Sequence, residues 1–271
     1  MTFDYYLAKA SDTLSLKLEV LENNKVIRTF TNKKPKGFKS WPGGPSSPQV
    51  LPSKKGYNRF TWNFSREAIP SIDKVFVFGG HDGSSVGPGI YILRLSLDNE
   101  VSETIATVLA NPSVKANAQD FTEQQSMLVT IENTLKEMHE SVNSMRSAKS
   151  QLKGYAKLLD DNELTKALLE KGKALTKRID TWERHLIQPD QKTFQDVINF
   201  NNKLNAQLIH LKGYLDVADP KVTEGAKERL QDLLADWDVY KTERNAITNT
   251  EMSAYNKMFK ALELPAIILK E

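Results

Sequence analysis

The sequence predicts an α+β protein in two successive parts, an antiparallel β-sandwich over residues 1–112 and an up-down four-helix bundle over 113–271. Three observations predict it. Apolar and polar residues alternate through Leu109, the period of a half-buried strand. From about Asn117 apolar residues recur every three or four positions, the period of a helix with one buried stripe. Asn111-Pro112 stands between the two rhythms.

The strands follow in order. FDYYL opens the chain, and Leu14, Leu16, Leu18 and Val20 alternate with polar residues as a second strand. Glu22-Asn23-Asn24-Lys25 has the composition of a hairpin turn into a third strand, Val26–Thr31. Phe60, Trp62 and Phe64 mark a fourth, Val75 and Val77 a fifth, and Tyr91, Leu93, Leu95 and Leu97 a sixth, which turns at Asp98-Asn99-Glu100 into a last strand around Glu103–Leu109. About seven short strands with turns between them have the pattern and size of an immunoglobulin-like sandwich.

The helices are as regular. Phe121, Leu128, Ile131, Leu135, Met138, Val142, Met145, Leu152, Tyr155 and Leu159 form one sustained stripe. Asp160-Asp161-Asn162 breaks it and can cap a second helix through Leu164, Leu168, Leu175, Ile179, Trp182 and Leu186. A third carries Leu204, Leu208, Leu211 and Leu215 and begins either near Asp190 or only after Asp196. After Ala218-Asp219-Pro220 a fourth stripe runs from Leu230 to Leu262. Four helices with short connections favour the up-down arrangement. The outer two span roughly 40 residues, about 60 Å, and the middle two roughly 25. The surplus turns of the outer pair then form a neck beside the sandwich, and Pro265-Ala266-Ile267-Ile268-Leu269 docks back onto it.

Composition narrows the function. The net charge of +3 is small, whereas a nucleic-acid surface gathers basic residues on one face, so no nucleic-acid partner is expected. The absence of cysteine excludes disulfides and thiolate metal sites. No apolar run has the length of a membrane span. MTFDYYLAKA has neither the basic start nor the apolar core of a signal peptide and leads straight into strand-like sequence, as in a piece cut from a longer polypeptide.

GYNRFTWNF (56–64) follows a long segment of Lys, Pro, Gly and Ser. Gly56 suits the backbone turn that ends the loop, Trp62 suits an anchor between sheets, and Arg59 lies on the other face from Trp62 and needs a carboxylate or loop carbonyls as partner. Gly87-Pro88-Gly89 sets up the Tyr91 strand. Loop 32–56 holds six lysines and no acidic residue, with Phe38, Lys39 and Trp41 at its centre. Three readings of it stand: Phe38 and Trp41 fold back over an open sheet edge, they contact an adjoining domain, or Trp41 stacks on a sugar ring. His81-Asp82 lies in a Gly-rich turn that does not join a strand to a helix, so it is not a phosphate loop. His139, His185 and His210 stand singly on separate stretches of helix and are expected at the surface or its boundary; they lack the spacing that puts metal ligands on one face. Trp182, Trp237, Met138 and Met145 lie on the helical seam, as core residues do. No serine or lysine stands in a nucleophile motif, so no catalytic residue, cofactor or metal is expected.

GYNRFTW, then Gly87-Pro88-Gly89-Ile90-Tyr91, then Asn111-Pro112-Ser113 before a long helix, resembles the C-terminal region of bacterial sortilin-type, neuraminidase-repeat β-propeller proteins, often labelled glycosyl hydrolases. Their pattern is G-x-N-R-x-x-W, P-G-x-Y, D-P-R and a helical segment. Gly56, Asn58, Arg59, Trp62, Pro88, Gly89 and Tyr91 carry the match, and Tyr255-Asn256 stands where the family often has Phe-Asn. Asn111 and Ser113 depart from its Asp and Arg, so an ion pair made there would be lost. The β half is also similar to the immunoglobulin-like module of flagellar hook-capping proteins. The resemblance implies a non-catalytic tail, since the propeller, which would hold any glycosidase chemistry, precedes this region, and nothing here repeats at a blade period. It implies a periplasmic or cell-surface location and, as partner, the propeller of the same parent chain or an envelope protein. The alternative is a carbohydrate-binding accessory module using the Trp41 loop; Phe38, Lys39, Trp41, His81 and Asp82 are the candidate contacts to a partner or a glycan.

Overall fold

The computed structural model describes residues 1–9 and 15–263, so Leu14 and the Pro265–Leu269 tail lie outside the described residues. It is an α+β protein. Among the described residues six strands form two antiparallel sheets: β1 (Thr2–Leu7) pairs with β4 (Gly56–Thr61), and β3 (Lys25–Thr31), β2 (Leu16–Glu22), β5 (Gly89–Leu97) and β6 (Glu100–Val108) lie side by side in that order. The hairpin turns fall where the sequence places them. Asn23, Asn24 and Asp98 all take positive φ, which Asn and Asp tolerate and which matches the twist of the flanking strands.

The alternating residues of the two sheets meet in one core. Leu16, Leu18, Val20, Phe30, Phe60, Trp62, Tyr91 and Leu93 are all buried in it. Trp62 packs its ring 5.8 Å from Tyr91 and donates its indole N–H to the Ser65 carbonyl at 2.9 Å. Gly56 has φ +97°, a conformation costly to any residue with a Cβ.

Val75 and Val77 are not in a strand. They are buried, yet they pack with Ile69 and Ile72 into the helical core. Their backbone groups find partners outside any ladder: Val75 N–H donates to Ile72 O at 3.1 Å and Val77 N–H to Gly43 O at 3.2 Å. Two alternating valines satisfy a loop pressed against a helix as well as a strand.

Helix α1 (Ala118–Leu158) begins at Asn117, whose Oδ1 accepts from the N–H groups of Gln119 and Asp120 while Asp120 Oδ2 accepts from Asn117 N–H at 2.9 Å. Next come α2 (Lys166–Leu186), a 3₁₀ turn (Gln195–Ile198), α3 (Leu204–Leu215), α4 (Glu224–Ala246), a π-helical stretch (Ile247–Met252) and α5 (Ser253–Ala261). Leu164 precedes α2 and is exposed; Asn162 Oδ1 accepts from the N–H groups of Leu164 and Thr165 before the helix starts. The third helix begins well after Asp196 and has 12 residues, half the expected length; the Asp196 carboxylate instead accepts from the N–H groups of Lys192 and Thr193 at the entry to the 3₁₀ turn.

Helix directions depart from the up-down expectation. Lys227 pairs with Glu123 at 2.6 Å, Trp237 Nε1 donates to Glu137 at 3.1 Å, Arg244 to Ser141 at 2.6 Å, and the Phe259 ring lies 4.7 Å from Tyr155. Helices α1 and α4–α5 therefore run parallel along their whole length. Helix α2 runs against the later part of both, with Arg146 on Glu183 and Trp182 Nε1 on Tyr240 O at 2.8 Å. Helix α3 runs against the earlier part, where Gln124 Nε2 caps its end by donating to Leu215 O at 2.8 Å. The connection 187–203 does not reverse the chain, so α2 and α3 share one descending column. No bare two-helix neck results.

Candidate functional site

Segment 65–88 builds the joint between sheets and helices and is bonded to both. It leaves β4 past Trp62, crosses the face of α1 and returns to β5. Its apolar residues Ile69, Ile72, Val75 and Val77 enter the helical core, which holds the segment down. A buried segment without a ladder must find partners for its carbonyls. Three side chains of α1, spaced four and three apart on one face, supply them. His139 Nδ1 meets Pro70 O at 2.6 Å, Asn143 Nδ2 meets Ser71 O at 2.9 Å, and Arg146 Nη1 meets Asp73 O at 2.8 Å. Because a carbonyl only accepts, His139 carries its proton on Nδ1.

His139 is fully buried, not at the surface. The covering segment 69–73 is the reason, and nothing local to α1 announces it. Burial, opposed by the Pro70 carbonyl and reinforced by His81, pushes its pKa down to about 4. His81 lies with its ring centroid 6.2 Å away and is also buried. Burial holds it below the ordinary imidazole value, with Asp82 opposing and Lys212 adding to the shift. Among the described residues neither ring nitrogen of His81 has a hydrogen-bond partner. His185 and His210 are exposed; the first stacks on Tyr240 at 5.1 Å.

The return arm of the segment is bonded as tightly. Ser84 N–H donates to Glu132, Ser85 N–H to both oxygens of Asp216 at 3.1 and 3.2 Å, and Lys212 Nζ to Asp82 O. Gln125 Nε2 donates to Ser85 O at 3.1 Å, and Arg66 Nη2 reaches Gln125 and Glu22 at 3.0 Å each. Arg146 continues to Glu183, a buried carboxylate that also takes Lys149 at 3.1 Å. The glycine-rich turn 79–83 exists to make this arm fit: a Cβ on Gly83 would strike the carbonyl oxygens of Arg66 and Glu67.

The remaining residues singled out from the sequence divide. Arg59 pairs across the strands with Asp4, Nε to Oδ1 at 2.8 Å and Nη2 to Oδ2 at 2.9 Å, on the outer face. Asn58 is buried and closes the end of the long loop, accepting from Lys54 N–H at 3.0 Å and donating to Lys54 O and Gly56 O. Tyr91 Oη donates to Gly87 O at 2.7 Å, tying the turn that contains Pro88 and Gly89. Trp41 folds back, but onto segment 65–88: its indole N–H donates to Val75 O at 2.8 Å. Phe38 is half-buried and Lys39 exposed. His81 and Asp82 line a cleft of about 450 Å³ with Arg28, Glu67 and the Pro45–Gln49 stretch. Phe38, Lys39 and Trp41 do not reach it.

A larger cleft of about 750 Å³ separates the β2–β3 turn from α1, and its walls carry both signs of charge: Lys25, Arg66 and Lys136 against Glu22, Glu132 and Glu140. Such walls suit water and ion pairs. The chemistry assembled at the joint is recognition of main-chain carbonyls by helix side chains. Sequence reasoning missed His139, Asn143 and Arg146 in this role; the available signal was donor side chains at helical spacing beside an apolar seam. Among the described residues no group of three His, Asp or Glu side chains is placed to hold a metal ion, and no helix is long and apolar enough to cross a membrane. No family model, no curated protein and no solved structure matches the chain.

Proposed function

We propose that this chain is a non-catalytic structural or interaction module, an immunoglobulin-like sandwich joined to a helical bundle, that forms the C-terminal part of a larger exported β-propeller protein and braces it at the cell envelope. The observation that carries the reading is the ladder from His139, Asn143 and Arg146 to the carbonyls of Pro70, Ser71 and Asp73. It ties the segment that connects β4 to β5 onto the longest helix at three points, as a brace requires. The G-x-N-R-x-x-W residues support the same reading. Asn58 and Trp62 spend their polar groups on closing the loop and anchoring the core, and Arg59 is paired with Asp4.

A carbohydrate-binding reading asks for a tryptophan ring free to stack on a sugar. Trp41 is tied by its N–H to Val75, and a Cβ on Gly44 would fall 2.6 Å from its ring, so one face lies against the loop. The test is a calorimetric titration of the parent protein's propeller, expressed separately, into this chain. Saturable binding is expected. A flat titration at every accessible concentration contradicts the brace.

A further inference from the structure

Strand β6 is an edge. It pairs with β5 in unbroken register from Gly89↔Val108 to Leu97↔Glu100, and among the described residues no strand lies on its other side. The opposite edge of the same sheet is covered: Glu67 N–H donates to Ile27 O at 2.8 Å, Glu67 Oε2 accepts from Thr29 N–H at 3.0 Å, and Leu51 N–H donates to Thr31 O at 2.9 Å. Natural sheets blunt an open edge with Pro, Lys, a bulge or a covering loop. EVSETIATV, the β6 sequence, contains neither Pro nor Lys, its register has no bulge, and its charges are limited to Glu100 at the turn and Glu103. Its outward face instead carries Val101 and Ile105, 61% and 71% exposed, followed by Leu109 at 82%.

We propose that β6 pairs with β6 of a second copy of this chain, antiparallel about a two-fold axis at Ile105, so that the two four-stranded sheets become one. The exposed side chains choose the register. With the axis at Ile105, Ile105 meets Ile105 of the partner subunit, Val101 meets Leu109 of the partner subunit, and Glu103 meets Thr107 of the partner subunit. Every exposed aliphatic side chain of the strand then has an aliphatic neighbour across the junction. With the axis at Glu103, two carboxylates would face each other directly, which destabilises a cross-strand pair. This inference goes beyond the brace and stands whether or not the propeller binds.

Sedimentation velocity of the full chain over a concentration series tests it. The mass is expected to rise from the 30.6 kDa of one chain toward twice that value. Ile105→Lys sets two ammonium groups at the axis and is expected to hold the chain at its single mass with an unchanged circular dichroism spectrum. The natural chain has no cysteine, so single cysteines report the register. Antiparallel partners have Cα atoms about 4.5–5.5 Å apart, within disulfide reach, so oxidised Ile105→Cys is expected to give a covalent dimer and Glu103→Cys is not. Three results overturn the proposal: a single mass at every concentration, a dimer that Ile105→Lys leaves intact, or cross-linking through Glu103→Cys in place of Ile105→Cys.

Discussion

The imidazole of His139, in the middle of the longest helix, ends on the main-chain carbonyl of Pro70, with 2.6 Å between Nδ1 and O. The two residues are far apart in sequence and belong to parts with different periodicities. The imidazole side of the bond is fully buried, while Pro70 is half-buried at the wall of the larger cleft. A buried acceptor that loses its donor costs about 1–3 kcal/mol, and removing a large buried side chain adds a cavity.

His139→Ala is expected to lower unfolding stability by about 2–4 kcal/mol in a denaturant titration. Asn143→Ala, at an exposed position of the same ladder, is expected to cost under about 1 kcal/mol, because water replaces the amide.

Acid should weaken the joint in a defined window. The folded pKa of His139 is about 4, below its ordinary 6.5. The unfolded chain therefore binds more protons between those values. The contribution is fully present above pH 6.5 and is lost as pH falls toward 4, for a total of about 3 kcal/mol. His81 is shifted in the same direction and adds to the loss. His139→Gln keeps a donor for the Pro70 carbonyl without a titrating group. Its stability should fall less steeply from pH 7.5 to 5 than that of the parent, and equal slopes would assign the acid response to other groups.

Gly83→Ala tests the close approach of the return arm. The added methyl meets two carbonyl oxygens of backbone that is itself fixed by the bond from Arg66 N–H to Ser84 O at 2.8 Å. A loss of about 1–3 kcal/mol is expected by thermal or chemical unfolding.

Neighbouring residues of GYNRFTW should behave oppositely. Asn58→Ala releases the end of a lysine-rich loop by removing three hydrogen bonds to Lys54 and Gly56. Limited trypsin digestion is expected to cut that loop faster in this variant than in the parent. Arg59→Ala breaks an exposed pair with Asp4 and should leave the cleavage rate unchanged.

The sequence made some of this legible. The change of period near Asn117, where α1 begins, and the alternation of Leu16, Leu18 and Val20 are local, so periodicity placed them correctly. Val75 and Val77 misled because burial against a helix and burial in a sheet select the same residues. The direction of α3 was hidden because a stripe identifies a buried face but not which way the chain enters it. His139 was hidden for a related reason: a lone histidine at helical spacing carries no mark of the loop that will cover it. The joint depends on contacts between distant segments, and these are what single-sequence patterns do not encode.

Segment 65–88, bonded to both parts, is expected to make sheets and helices unfold as one cooperative body. Native-state hydrogen exchange under increasing denaturant tests it most directly, by following the amides of Leu93 in β5 and Leu135 in α1 together. Both amides are expected to converge on the same opening free energy and the same denaturant dependence. A β5 amide that exchanges through a separate, lower-energy opening while α1 stays protected would contradict it.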